Sequence, residues 1–207
     1  MDDMTNASNA LALCYPLTCI SEECASSLVA TQKRREEIYS QTLPSQEENI
    51  SGDALTLRPY QVQAVEDLRS ALAGGAVRLM LYSPTGSGKT EIAMAIIRCA
   101  RDKGKRVAFL VNRVHLVEQT SRRFAKSGID HGVIQADNTA RVYENILVAS
   151  IQTVAKRGLP DDIDLLIIDE AHAVAVSKDY RAVIAAAKGR PVIGLSATPF
   201  ARGLGKL

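Results

Sequence analysis

Two short stretches hold residue types from which phosphate chemistry could be built. The first, Ser83-Pro84-Thr85-Gly86-Ser87-Gly88-Lys89-Thr90, lies between the apolar run Val77 to Tyr82 and a helical pattern beginning at Lys89. Gly86 and Gly88 let the backbone curl so that successive N–H groups point inward at phosphate oxygens, and the following helix adds its positive end. Lys89 would then reach the β- and γ-phosphates of a nucleotide, and the Thr90 hydroxyl would ligate Mg²⁺. Ser83 stands where the strict pattern carries its first glycine, so the match is to a relaxed form. The second stretch, Leu165-Leu166-Ile167-Ile168-Asp169-Glu170-Ala171-His172, begins its acidic pair 80 residues after Lys89. An apolar strand ending in two carboxylates presents them at the carboxyl edge of a sheet, where open α/β sheets bind ligands. Asp169 can hold Mg²⁺ directly or through water, and Glu170 can take the proton of a water attacking the γ-phosphate. His172 has two readings: it couples the site to a neighbouring domain, or it caps its own loop.

A third segment, Gly194-Leu195-Ser196-Ala197-Thr198-Pro199, also ends an apolar run. The hydroxyls of Ser196 and Thr198 are suited to hydrogen-bond the acidic pair and report phosphate status to a second domain. Ser-Ala-Thr is ordinary composition by itself; its weight comes from its order and position.

Groups so far apart in sequence need a scaffold that returns each one to the same edge. From Asp53 onward, apolar runs alternate with helical patterns, as expected of an α/β fold with a mostly parallel sheet and helices on both faces. Val62, Val65, Leu68 and Leu72 recur at spacings of three and four, predicting a helix over 60–73. Strands are predicted over 77–82, 106–111, near 133–134, and over 146–149, 165–168 and 192–195. Further helices are predicted from Lys89 to about Arg101, over 114–125 and near 179–187. With no Trp and 4% aromatics, the core must be aliphatic, which suits a covered parallel sheet.

The phosphate loop, Asp169-Glu170-Ala171-His172 and Ser196-Ala197-Thr198, in that order, resemble motifs I, II and III of the superfamily 2 helicases. The resemblance covers residues 55–207 and implies a RecA-like P-loop NTPase domain, the first of two in a motor, with ATP and Mg²⁺ as cofactors. Leu57-Arg58-Pro59-Tyr60-Gln61 resembles the motif that reads adenine, which implies that role for Gln61. Val111 to Gln119 resembles motif Ia, and Val148-Ala149-Ser150-Ile151-Gln152-Thr153 resembles motif Ib. Both line the nucleic-acid track in the family, which makes Arg113, Gln152 and Thr153 the implied backbone contacts. Arg-Pro-Tyr-Gln, a motif Ia without Pro-Thr-Arg, and Ser-Ala-Thr-Pro-Phe followed by Arg202 and Gly-Leu-Gly-Lys look like the branch of duplex-DNA translocases, restriction-enzyme motors and a repair helicase. DNA is therefore the expected nucleic-acid partner ahead of RNA.

Charge and cysteine content narrow the remaining classes. Residues 1–50 hold three basic and eight acidic residues, net −5, against 22 and 15, net +7, in the remainder. A mildly basic domain is compatible with a phosphate backbone and equally with an ordinary solvated surface. Cys14, Cys19 and Cys24 recur every five residues, which matches no common zinc spacing, and reduced thiols are the expectation. The apolar run Leu11 to Ile20 is ten residues long, contains Pro16 and follows two aspartates, so it suits neither a signal peptide nor a membrane span. A cytoplasmic protein without a membrane partner is expected.

The expected organisation is an N-terminal segment, 1–50, partly helical (about Glu22 to Gln41) or disordered, followed by a RecA-like domain over 51–207. Pro44 and the polar run Ser45 to Ser51 read as a linker. No later arginine-bearing motif follows motif III, so a second RecA-like domain is expected in cis or trans, with weak hydrolysis by the chain alone. An alternative is a nucleotide- and nucleic-acid-binding module that docks on a separate chain. A third reading, a small-molecule P-loop kinase, leaves the acidic box, Ser196-Ala197-Thr198 and Gln61 unexplained.

Overall fold

The computed structural model describes residues 13–16, 57–135, 138–175, 177–187 and 189–197. The predicted helix at 22–41, the linker, Thr198 and the Arg202–Lys206 tail fall outside those residues. The strands are β1 (Leu13–Pro16), β2 (Arg78–Tyr82), β3 (Val107–Val111), β4 (Gly132–Gln135), β5 (Asn138–Ala140), β6 (Ile146–Ser150), β7 (Leu165–Ile168) and β8 (Val192–Ser196). The helices are α1 (Pro59–Ala73), α2 (Lys89–Asp102), α3 (Val114–Lys126), α4 (Ile151–Arg157) and α5 (Lys178–Ala186), with a 3₁₀ turn over Ala171–Ala175.

One sheet runs in the order β1-β2-β8-β7-β3-β6-β4-β5. Its six inner strands, β2 to β4 in that order, are parallel, while β1 and β5 close the edges antiparallel. Sequence patterning finds the six parallel strands because each carries consecutive apolar residues, down to Val133-Ile134 in β4. It misses β1, a four-residue piece of the longer apolar run Leu11 to Ile20, and β5, which has no such run. It also misses α4, whose seven residues are too few to show a helical period. Ser150 starts that helix by accepting the Thr153 N–H at its side-chain oxygen.

Period-two alternation sends neighbouring strand residues to opposite faces. Leu79, Leu81, Phe109, Val148, Ile167 and Ile193 pack on one face beneath α1, α2 and α3. Met80, Leu110, Leu147, Leu166 and Ile168 pack on the other beneath α4 and α5. Each fully buried aliphatic side chain contributes about 1.5–3 kcal/mol, so the doubly covered sheet is the dominant source of stability. Phe124 of α3 meets Phe109 edge-on with ring centres 5.3 Å apart.

The edge where the parallel strands begin is tied by polar bonds. The Arg106 backbone N–H donates to Asp164 at 2.8 Å, and its guanidinium reaches the carbonyls of Glu144 and Val142 and the Asp162 carboxylate. The Arg106 N–H, followed by Lys105, holds the Asp164 carboxyl below its ordinary pKa. Arg78 donates to the Arg190 carbonyl at 2.7 Å, and partial burial lowers its pKa. No described helix is long and apolar enough to cross a membrane.

Candidate nucleotide site at the carboxyl edge of the sheet

The strand order determines which loops meet. β8 lies between β2 and β7, so the loop after β2, the end of β8 and the acidic pair after β7 stand side by side. Tyr82 is in register with Ser196, and Ile168 with Gly194. The Ser83 N–H extends the β2–β8 pairing by donating to the Ser196 carbonyl at 2.9 Å, and the Asp169 N–H donates to the Leu110 carbonyl at 2.8 Å.

Within the loop, Gly86 and Gly88 have φ of +83° and +77°, where glycine carries no Cβ penalty. Gly88 is doubly required, because a Cβ there would lie 2.3 Å from the Gln61 amide nitrogen. Ser83 and Ser87 are buried, their hydroxyls are hydrogen-bonded to each other, and Ser87 Oγ also donates to the Pro84 carbonyl at 2.6 Å. The serine in place of the first glycine is thus a cross-brace of the loop. Lys89 Nζ donates to the carbonyls of Ser83 and Pro84 at 3.0 and 3.2 Å. Thr85 and Gly86 face solvent, while Pro84, Lys89 and Thr90 are half-buried.

α1 braces the loop from outside. Gln61 is 5% exposed; its oxygen accepts the Arg58 N–H at 2.8 Å and its amide donates to the Ser87 carbonyl at 2.9 Å. The first bond is the returning half of a capping box, so one side chain both starts α1 and holds the loop. The Tyr60 hydroxyl donates to the same carbonyl at 2.9 Å. Sequence reasoning missed Tyr60 in this position, although it lies inside the Arg-Pro-Tyr-Gln segment.

Around the acidic pair, Glu170 has φ of +51°, a left-handed conformation that costs a non-glycine residue about 1–2 kcal/mol. Its N–H donates to its neighbour's carboxylate, Asp169 Oδ1, at 3.1 Å. Burial first, and the Glu170 charge second, push the Asp169 carboxyl above its ordinary pKa, opposed by that N–H, by Lys89 and by Arg123. His172 Nδ1 lies 3.1 Å from Glu170 Oε2 and 3.3 Å from Ser196 Oγ. A carboxylate only accepts, so the shared proton belongs on Nδ1, and Ser196 receives the second branch. The link expected directly between Ser196 and the carboxylates therefore runs through His172. Gly194 permits this closeness, since a Cβ there would meet the Ala171 Cβ at 2.7 Å.

Tyr180, 1% exposed, donates to the Asp169 carbonyl at 3.3 Å from below. Burial, then Asp169 and Glu170, raise its pKa and keep it a donor. The sequence signal for Tyr180 was only an aromatic on the inner face of the 179–187 helix.

The three expected nucleic-acid contacts separate in the structure. Arg113 is exposed at the start of α3. Gln152 donates to the Asn112 carbonyl, tying the start of α4 to the loop before α3, and its own buried oxygen has no protein partner among the described residues. Thr153 is buried and shares the Ser150 hydroxyl, 2.7 Å away.

A family model described as "Type III restriction enzyme, res subunit" matches residues 54–201. The chain belongs to this family. It is a superfamily 2 helicase-like ATPase domain of the N-terminal RecA-like type. The Type I restriction enzyme EcoAI endonuclease subunit of Escherichia coli is 33% identical over 72% of the chain, and the chain spans 20% of that subunit. The chain therefore corresponds to about a fifth of this curated relative. The fold is shared with the Sulfolobus solfataricus SWI2/SNF2 ATPase core in complex with dsDNA, at TM-score 0.57 and 18% identity, over 71% of this chain and 33% of that one. It is shared as well with the UvsW helicase from bacteriophage T4, at TM-score 0.54 and 18% identity, over 81% and 60% of the two chains.

Donor chemistry at this edge of the sheet fits a magnesium nucleotide. Thr90 and Asp169 offer hard oxygen ligands in small number, which suits Mg²⁺ shared with phosphate oxygens and water. A Cβ on Gly86 would meet no protein atom within 4 Å, so that glycine borders the open side of the loop.

Proposed function

We propose that this chain binds Mg·ATP at the loop 83–90 and hydrolyses it as the first motor half of a DNA-dependent ATPase. The observation that carries this reading is the convergence of Ser83, Asp169 and Ser196 on adjacent strand ends, with Glu170, His172 and Ser196 joined at one imidazole nitrogen. In this reading Lys89 leaves the Ser83 and Pro84 carbonyls for the β- and γ-phosphates, and the loop from Ser83 to Gly88 encloses the phosphates with the backbone N–H groups of Thr85, Gly86 and Gly88, since Pro84 has none and those of Ser83 and Ser87 donate to the Ser196 and Pro84 carbonyls. Thr90 and Asp169 hold Mg²⁺, which neutralises charge on the transferring phosphoryl group. Glu170 orients the attacking water and takes its proton. Its strained backbone and its bond to His172 aim the carboxylate, and Ser196 with Thr198 passes the phosphate state onward. Gln61 meets the adenine while holding Ser87.

Arg113, Gln152 and Thr153 are assigned to the nucleic-acid side, with the last two acting mainly by fixing the track backbone. DNA is favoured over RNA by the restriction-enzyme family and by the likeness to a motor bound to dsDNA. A second RecA-like domain, in cis or trans, would supply the arginines that complete turnover.

The test is steady-state ATP hydrolysis with no nucleic acid, single-stranded DNA, duplex DNA and RNA, beside Glu170→Gln. Stimulation by duplex DNA that Glu170→Gln removes is the expected result. Nucleotide binding unchanged by Lys89→Ala would overturn the assignment of the site.

A further inference from the structure

The helix that opens the nucleotide site carries a negative charge where one is costly. Glu91 lies in the first turn of α2, directly after Lys89 and Thr90. A carboxylate is ordinarily favourable at a helix N-terminus, but this terminus must attract phosphate, and an uncompensated carboxylate there repels it. Glu91 also packs beside the loop, since its Cγ lies 3.5 Å from where a Cβ on Gly88 would stand.

Arg123 of α3 answers that charge across 32 residues of sequence, with Nη2 at 2.5 Å from Glu91 Oε1. Two other arginine ion pairs on described helices are local. Arg122–Glu118 and Arg69–Glu66 each join residues three or four apart, with both side chains well exposed. Arg123–Glu91 instead joins two helices and leaves Glu91 31% exposed. The same guanidinium is also among the cations favouring the ionised form of Asp169.

We propose that Arg123 is a positioning residue of the nucleotide site, which neutralises Glu91, holds the first turn of α2 and so sets the affinity for a nucleoside triphosphate. This rests on the nucleotide-site reading above. Arg123 does not touch the phosphates; it acts through Glu91. With Arg123 the five charges Lys89, Arg123, Glu91, Asp169 and Glu170 sum to −1, and without it to −2, facing an anionic ligand.

The test is a four-protein cycle in the full chain, titrating a fluorescent ATP analogue with Mg²⁺ into wild type, Arg123→Gln, Glu91→Gln and the double variant. Arg123→Gln is expected to weaken binding about fivefold, the scale of a partly exposed charge pair. Glu91→Gln should bind about twofold more tightly, and the double variant should return to within about twofold of wild type, as removal of both charges predicts. The Arg123→Gln loss should shrink as KCl is raised, because the effect is Coulombic. A merely structural role would lower the thermal midpoint of both single variants without salt-dependent affinity, and would overturn the proposal. So would a double variant as weak as Arg123→Gln, or Arg123→Gln binding like wild type. If wild type and Lys89→Ala bind the analogue equally, the nucleotide-site reading itself fails and takes this inference with it. Binding that Lys89→Ala abolishes and Arg123→Gln leaves intact removes this inference alone.

Discussion

The two edges of the one sheet are built to opposite ends. Where the parallel strands begin, charge is matched and backbone is tied: Arg106 bonds Asp164, Asp162, Glu144 and Val142, while Arg78 and Arg190 reach neighbouring carbonyls. Where the same strands end, a carboxylate is held half-buried, a glutamate is bent into left-handed backbone, and a lysine rests on carbonyl oxygens. The strands supply rigidity to both edges. The difference teaches that polar ties are concentrated at one edge, and that strain and uncompensated charge gather at the other, where the proposed nucleotide site stands.

Lys89→Ala should break the comparison from the upper edge. Loss of the phosphate-facing ammonium is expected to lower ATP turnover by a factor on the order of 10²–10³, the scale of removing one preorganised electrostatic group. The thermal midpoint should stay within about 2 °C of wild type, and a midpoint drop larger than that would show that Lys89 serves the fold as well. Arg106→Ala probes the lower edge and should do the reverse. Removing a guanidinium that satisfies two carbonyls and a carboxylate is expected to cost about 2–3 kcal/mol. Calorimetry should record a fall of roughly 5–10 °C in Tm, with nucleotide affinity unchanged.

Gly194→Ala sharpens the contrast, since its new methyl group would press on Ala171 and Met80 between the two edges. A cost of about 1–2 kcal/mol is expected, together with reduced hydrolysis as the acidic loop is pushed off Ser196. Urea unfolding and turnover should fall together in this variant, and separation of the two effects would place Ala171 outside the chemistry.

The smallest expected effect is that of Asp169→Asn without metal. A folded-state carboxyl pKa raised above its unfolded value means that the folded protein binds the proton more tightly. Stability is then lost as pH rises from the unfolded pKa through the raised folded value. Asn carries no such loss, so the variant should melt roughly 2 °C higher than wild type at neutral pH, and the difference should close on acidification below that window. In wild type, Mg-dependent nucleotide binding should fall as pH drops through the same window, because the neutral acid is a poor ligand. A metal-free midpoint for Asp169→Asn at or below wild type would show that the charge is not a strain on the fold.

Much of the fold and the core of the site were legible before any coordinates. The six parallel strands each carry consecutive apolar residues, and α1, α2, α3 and α5 show a helical period, so local patterning reports them. The loop 83–90 and the acidic pair of the proposed nucleotide site were also singled out from sequence, since each is a contiguous string. Illegible were β5 and α4, too short for a period, and β1, which lies inside the longer apolar run Leu11 to Ile20 with nothing in the sequence to mark its ends. Illegible too were Tyr60 and Tyr180, whose roles rest on what they face across space.

The sequence by itself determined the α/β grammar, the glycines that allow the loop to curl, and the family to which the chain belongs. Tertiary structure alone decided that β8 would lie between β2 and β7, so that residues 83, 169 and 196 share one edge. It alone decided that His172 would stand between Glu170 and Ser196, and that Arg123 would cross to Glu91. Strand order and cross-helix pairing depend on how buried faces pack against one another, and no window of neighbouring residues contains that information.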